Sequence, residues 1–423
     1  MRETVAIQVI NLVVWLANHL SDRGVDAGLG MLERLAPSPF ARRQVAAVRR
    51  HWRGETPGSY ALLRRVLREV DPNCQRRLAT NLVVKHHWLG GTRRTELRTK
   101  GVVVPFTLLI SPTMRCNRTC LGCYAGEYTR QDDLPAEVFD RVLKEGKDIG
   151  VYMVVLLGGE PFVYEPLLDL LAAHSDVAFM AYTNGTTITR RLARRLLELG
   201  NVVPIISLEG FEEETDARRG RGVFQQVMAA MDVLREHRIP FGFSSMVTRQ
   251  NAETIASDEF NDMLVRRGCL LGWHFLYMPV GRGPDPCLMP TPEQREMLRV
   301  RGAARIRTTK PLFVADFWND APWVGGCIAG GRQYVHINSH GDVEPCIFNH
   351  FAVDNVKEKS LLECLQSDFF KGIQARQPYD SNLLRPCMMI DHPWVFREIY
   401  RQYRPRPTHP GAEDLVGSLA PIL

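Results

Sequence analysis

Apolar positions recur at helical spacing through the first hundred residues, in "IQVINLVVWLANHL" (7–20) and again in "YALLRRVLREV" (60–70). "LAPSPF" (35–40) and "GETPGS" (54–59) carry the Pro and Gly that break such helices. From about residue 105 the rhythm changes. Short apolar runs ("FTLLIS", "YMVVLLGG", "VAFMAYTNG", "VVPIISLEG", "FGFSSMVT", "HFLYMPVG") alternate with amphipathic helical stretches such as "AEVFDRVLKEGKDIG" and "FQQVMAAMDVLREHR". Strand-like runs separated by helices predict a parallel sheet of βα units. Each run ends in Gly, Ser, Thr, Asn or Glu, which suits a ligand site at the C-terminal ends of the strands. After residue 285 the alternation stops. "GRGPDPCLMPTP" reads as a loop, "EQREMLRVRGAAR" as a helix, and a cysteine-bearing segment follows.

The totals narrow the class. The chain has 423 residues, 45% apolar and 24% charged, the balance of a globular protein with a large core. No window reaches 18 uninterrupted apolar residues, so a membrane span is not expected. The N-terminal apolar stretch contains Gln8 and Asn11 and lacks a small-residue cleavage site, so it is not read as a signal peptide. A cytoplasmic setting follows, with membrane-peripheral contact through residues 1–100 as a further expectation. In a reducing compartment the ten cysteines point to metal or redox chemistry where they cluster.

Charge is uneven. The net charge is +6, yet residues 1–100 alone carry a surplus of ten positive charges and the remainder a deficit of four. Pairs such as Arg42–Arg43, Arg49–Arg50 and Arg76–Arg77 fit the solvated faces of helices or a surface that meets anionic lipid or an acidic partner. Few aromatics interleave with them, so nucleic acid is not expected.

The densest chemistry lies in "SPTMRCNRTCLGCYAGEY" (111–128), where Cys116, Cys120 and Cys123 follow the first strand-like run. Thiolates this close suit a soft metal. Structural zinc and cubane iron–sulfur sites both usually take four protein ligands. Cys74, His86 and His87 are too far upstream to complete the loop locally. Two readings stand: a zinc site closed by a distant ligand, or an iron–sulfur cluster with one iron left open.

Cys116-x3-Cys120-x2-Cys123 after the first strand of a βα series resembles the cluster loop of the radical S-adenosylmethionine (SAM) superfamily. Its companions stand where that family has them: "GGEP" (158–161) after the second run, "YTNGT" (182–186) after the third, "SLEG" (207–210) followed by "DARRGRG" after the fourth, and "SSMVT" after the fifth. The resemblance covers residues 105–285 and implies a partial (βα)6 TIM-type barrel. It also implies a [4Fe-4S] cluster on Cys116, Cys120 and Cys123 whose open iron chelates SAM. Gly158, Gly159, Glu160 and Asn184 would contact SAM, as would Ser207 with Arg218 or Arg219 near its methionine moiety. Reductive cleavage would give methionine and a 5′-deoxyadenosyl radical that abstracts hydrogen, with a flavodoxin or ferredoxin as electron donor. One position departs from the pattern: Gly122 stands where the family often has an aromatic residue.

Cys327-x13-Gly341-x4-Cys346 resembles the opening of the SPASM or twitch auxiliary-cluster domain, over residues 320–400. The resemblance implies a second, auxiliary [4Fe-4S] cluster on Cys327, Cys346 and Cys387, its fourth ligand being Asp391, His392, another cysteine or the substrate. Cys364 reads as a buried apolar thiol. The expected organisation is a helical basic extension (1–104), the radical SAM core (105–285), a linker and helix (286–319), the auxiliary-cluster domain (320–400) and an irregular tail (401–423). The substrate expected is a small molecule or lipid. The alternatives are a peptide or protein, as for many SPASM-type maturases, and, from another class, a non-catalytic zinc-binding scaffold.

Overall fold

The computed structural model describes residues 3–35, 39–54, 57–128 and 133–418. Residues 36–38 and 55–56, inside the helix breaks expected at 35–40 and 54–59, and the last five residues of the tail lie outside the described residues.

Six parallel strands form the frame: β1 (Thr107–Ile110), β2 (Met153–Leu156), β3 (Ala178–Thr183), β4 (Val202–Ser207), β5 (Gly242–Val247) and β6 (Leu271–Leu276). They neighbour one another in chain order, with register pairs such as Leu108↔Val154, Ile206↔Phe243 and Ser245↔His274. Helices such as Ala136–Asp148, Arg190–Leu199 and Val223–Glu236 cross between them. Each turns an apolar face to the sheet (Phe139, Val142 and Leu143 in the first) and buries it. This is the curled, open (βα)6 half-barrel with helices outside. Strand β6 begins three residues before the run "HFLYMPVG", because Leu271 pairs with Gly242 and Trp273 with Ser244.

Segments outside the βα repeat close the edges of this sheet. The expected linker supplies two helices (Pro292–Arg301 and Ala303–Thr309) and β7 (Phe313–Asp316), which pairs in parallel with β6. On the other edge β8 (Tyr334–Ile337) pairs in parallel with β1 and turns into β9 (Val343–Glu344). Among the described residues the sheet order is β7-β6-β5-β4-β3-β2-β1-β8-β9. The tail expected to be irregular is ordered through residue 418. It carries β11 (Arg406–Pro407), which pairs antiparallel with β10 (Phe351–Ala352), and a helix, Ala412–Ser418. Pro407 is tolerated because this two-stranded pair has only edges.

The first hundred residues form helices (Glu3–His19, Asp22–Leu35, Pro39–Trp52, Pro57–Glu69, Pro72–Ala79), then a π-helical stretch (Thr80–Gly90) and Gly91–Thr99. The later ones lie across the base of the barrel, where strands begin. Asp71 N–H donates to Arg238 O, Asn73 Nδ2 to Leu197 O, Asn81 Nδ2 to Ser175 O, and Arg65 Nη1 to Cys269 O. All four acceptors sit in turns or helix ends that lead into β3, β4, β5 or β6. Cys74 is buried there beside Val70 and Leu270. His86 accepts from Tyr152 N–H, and burial drives its pKa down to about 3. Neither residue approaches the cysteine loop. Among the described residues no helix is long and apolar enough to cross a membrane.

Candidate active site

The loop after β1 is held against the end of β2 by backbone contact. Gly159 N–H donates to Thr113 O and Glu160 N–H to Arg115 O. A Cβ on Gly159 would lie 2.1 Å from Arg115 O, so only glycine allows this approach. Leu121 N–H donates to Arg218 O, which ties the loop's far side to the helix Glu212–Arg219 after β4. The loop is thus clamped between the end of β2 and this helix, and a cavity opens above the sheet.

Cys116, Cys120 and Cys123 all line this cavity, together with Gly158, Gly159, Asn184, Ser207, Arg218 and Arg219. Of the expected SAM contacts, only Glu160 is not brought to it. Its carboxylate is fully buried beneath the floor, where it accepts from Thr183 Oγ1 (2.8 Å), Asn184 N–H (2.8 Å) and Phe162 N–H (3.3 Å). Glu160 therefore sets the backbone of the β3 turn rather than facing a ligand. Asn184 in turn donates to Asn117 Oδ1 (2.8 Å) and lies 3.8 Å from Cys116 Sγ.

The arginines are organised by a residue the motif reading passed over. Glu209, inside "SLEG", accepts on one oxygen from Arg218 Nη1 (2.6 Å) and Arg219 Nε (2.7 Å), and on the other from Met246 N–H (2.9 Å). Burial pushes its carboxyl up, but the two guanidiniums more than offset this and hold it below its ordinary value. Two guanidiniums against one carboxylate leave one positive charge in excess beside the cysteine loop. That charge suits thiolates and a carboxylate-bearing ligand. The signal was available: an acidic residue two positions after Ser207 and two arginines nine and ten positions further on.

Gly122 has φ +62°, and a Cβ there would meet Tyr277 Cε2 at 2.8 Å. An aromatic ring does cover this point of the loop, but it comes from the end of β6. Tyr277 is anchored by Asp285 N–H, which donates to its hydroxyl at 3.0 Å. Gly122→Ala is expected to cost about 1–2 kcal/mol from its left-handed backbone alone, before the ring is displaced. The melting temperature and iron content of the reconstituted variant would measure this, and wild-type values would contradict it.

The inner wall is apolar and aromatic. Tyr182 and Phe275 line the cavity, with ring centroids 5.9 Å apart, and Phe275 stacks on Phe317 at 5.0 Å. Burial holds the Tyr182 phenol well above its ordinary pKa, so it stays neutral. His274, a strand-end residue that could have faced the cavity, points outward and packs against Phe243. Burial lowers its pKa to about 4.

The second cysteine set adjoins the same cavity. Cys327, Cys346 and Cys387 surround the phenols of Tyr334 and Tyr379, whose pKa values are raised first by burial and then by these sulfurs. The Tyr334 hydroxyl lies 3.0 Å from Cys346 Sγ. Ile347 and Phe348, directly after Cys346, line the cavity, and Phe348 meets Tyr124, directly after Cys123, edge to face at 5.9 Å. Asp391, one expected fourth ligand, has both oxygens engaged, by Arg295 Nη1 (3.2 Å) and Cys387 N–H (3.0 Å). His392 Nε2 is bonded to Arg385 O, while its buried Nδ1 has no partner. Cys364 is buried in a helix, and Cys287 is exposed.

Among the described residues no three His, Cys, Asp or Glu side chains converge on a point that would hold a single metal ion. The three-cysteine loop instead lines a cationic cavity, the setting for a cluster with a bound cofactor. The family description "Radical SAM superfamily" matches residues 110–258, and "Iron-sulfur cluster-binding domain" (SPASM) matches residues 327–389. The chain belongs to the radical SAM superfamily. It is an enzyme of the SPASM-bearing kind, which uses SAM and iron–sulfur clusters, and the zinc-scaffold reading falls away.

Among its relatives is Fe-coproporphyrin III synthase of Methanosarcina barkeri, 29% identical over 178 residues, 40% of this chain and 44% of that protein. PqqA peptide cyclase of Bradyrhizobium diazoefficiens is 29% identical over 274 residues, 60% and 69% of the two chains. The fold resembles that of SuiB from Streptococcus suis bound to S-adenosylmethionine, with a TM-score of 0.58 at 21% identity, covering 75% of this chain and 78% of SuiB.

Proposed function

We propose that this radical SAM enzyme abstracts hydrogen from an apolar small molecule or lipid, with the auxiliary site aiding oxidation or substrate binding. The observation that carries this reading is the cavity wall. Beside its polar lining, which includes Arg118, Arg218, Arg219, Arg282, Asn184 and Ser207, it presents a continuous apolar and aromatic set: Leu157, Tyr182, Met246, Phe275, Ile347 and Phe348. An aliphatic or aromatic carbon would be held there away from water, where a reactive radical is protected from quenching.

Cys116, Cys120 and Cys123 would hold the SAM-binding cluster, and Cys327, Cys346 and Cys387 the auxiliary one. When bound, the first cluster supplies the electron that cleaves SAM to methionine and a 5′-deoxyadenosyl radical. The chain's own part is positioning. Arg218 or Arg219, fixed by Glu209, would take the carboxylate of SAM, Ser207 would sit beside its methionine moiety, and the Gly158–Gly159 edge would face its amine. Asn184 would brace the loop at Cys116. A flavodoxin or ferredoxin is the expected electron donor, in the cytoplasm.

A peptide substrate is the second reading. It is favoured by relatives such as PqqA peptide cyclase and by the likeness to SuiB, a structure of which holds its precursor peptide SuiA. Metabolite and lipid profiling of a strain lacking the protein separates the two. Accumulation of an unmodified small molecule or lipid supports the first reading. An unchanged small-molecule and lipid profile alongside an unmodified peptide would overturn it.

A further inference from the structure

The helix Glu3–His19 is mostly apolar, yet of its residues only Ala6 is fully buried. Val5, Leu12 and Trp15 are 43%, 55% and 56% exposed. At 100° per residue they fall, with Gln8 and His19, on one outward stripe. Trp15 stacks on His19 at 4.5 Å, so the largest ring is held at the surface rather than folded inward.

Ile7 and Asn11 lie on one flank of this stripe. There they share a cleft with Arg76, Arg77, Lys85 and Asn81 of the segment Pro72–Gly90. Lys85 is paired with Glu3, and Arg76 donates to Asn73 Oδ1 at 3.1 Å. Arg77 Nε is buried there with no partner, as is Asn11 Oδ1. A half-turn of the Asn11 amide would present a donor instead. The one carboxylate in the cleft, Asp176, is held by Lys147 at 3.2 Å. The cleft therefore offers donors and positive charge to an anion.

We propose that this end of the enzyme docks on an anionic membrane surface. The Val5–Leu12–Trp15 stripe lies in the interface, and lipid phosphates enter the Arg76–Arg77–Lys85 cleft beside it. An apolar stripe with cations at its flank is what holds an interfacial helix on anionic lipid. The surplus of ten positive charges in residues 1–100 favours this partner over a second copy of the chain, whose identical surface would be repelled. The extension crosses the base of the barrel, so the cavity at the opposite ends of the strands faces away from the bilayer. The proposal is independent of which substrate the cavity takes.

Co-sedimentation of the reconstituted full-length enzyme with vesicles tests it. The wild-type protein is expected to pellet with phosphatidylcholine vesicles containing phosphatidylglycerol, not with phosphatidylcholine alone, and to be released by high salt. Leu12→Glu with Trp15→Glu should abolish pelleting. Arg76→Gln with Arg77→Gln should weaken it roughly tenfold or more. All variants should keep wild-type 5′-deoxyadenosine release, which controls for folding. Several results would overturn the proposal: wild-type protein left in the supernatant with anionic vesicles, equal pelleting on neutral ones, or folded variants that pellet as the wild type does. A melting shift with inorganic phosphate that needs Arg76 and Arg77, without vesicle binding, would instead assign the cleft to a soluble anion. Self-association lost in Trp15→Glu, without vesicle binding, would assign the stripe to a second copy.

Discussion

Cys116→Ala is expected to abolish 5′-deoxyadenosine formation and to lower the iron of the reconstituted chain from about eight to about four atoms, the content of one cubane. Cys116 is the thiol nearest the Asn184–Asn117 brace, at 3.8 Å from Asn184 Nδ2. Its loss leaves two cysteines in a site that has no local fourth. The Cys327–Cys346–Cys387 set does not share ligands with this loop, so its iron should remain. The two readouts therefore move differently, and misfolding would lower both iron populations together. Cys387→Ala should do the converse, lowering iron while leaving substrate-independent SAM cleavage in place. Iron near the wild-type level together with SAM cleavage in Cys116→Ala would remove this cysteine from the account.

Glu209→Ala is expected to have the largest effect on stability of any single change at the site. It removes the buried partner of two half-buried guanidiniums, and breaking a pair of this kind costs up to about 3–5 kcal/mol. It also frees Arg218 and Arg219 to leave the cavity wall, so SAM binding should weaken even in the folded fraction. Glu209→Gln keeps acceptor oxygen but not charge and should fall between. The pH dependence has a definite sign. The folded-state pKa of Glu209 lies below its ordinary value, so its contribution is present above the usual carboxylate range and is lost as the pH falls through the folded-state value. Thermal melts of wild type and Glu209→Gln should therefore converge on acidification. A gap that stays constant with pH would mean that charge is not what Glu209 contributes.

Much of the frame was legible because β-branched and apolar runs alternate with amphipathic helices over residues 105–276. The cysteine spacing and the residues at strand ends were legible for the same reason: they are local in sequence. What was not legible is contact across distance. Tyr277 covers Gly122 from more than 150 residues away, so the missing aromatic of the loop looked like a loss when it is a relocation. Glu160 stands in the motif that faces the cavity, but burial and four donors (Thr183, Thr187, Asn184 N–H and Phe162 N–H) hold its carboxylate under the floor. Strand β6 is offset from its most apolar run because pairing with β5 set the register. Strands β7 and β8 are four residues long and extend the sheet from segments read as the linker and as the auxiliary-cluster domain. The "RPRP" tail pairs with β10 through a register that its own composition does not announce.

The most direct test of the whole account is anaerobic incubation of the reduced, reconstituted protein with SAM, with 5′-deoxyadenosine as the product measured. The account predicts 5′-deoxyadenosine and methionine in equal amounts from protein that holds about eight irons per chain. Protein that carries zinc without iron and leaves SAM intact would contradict it.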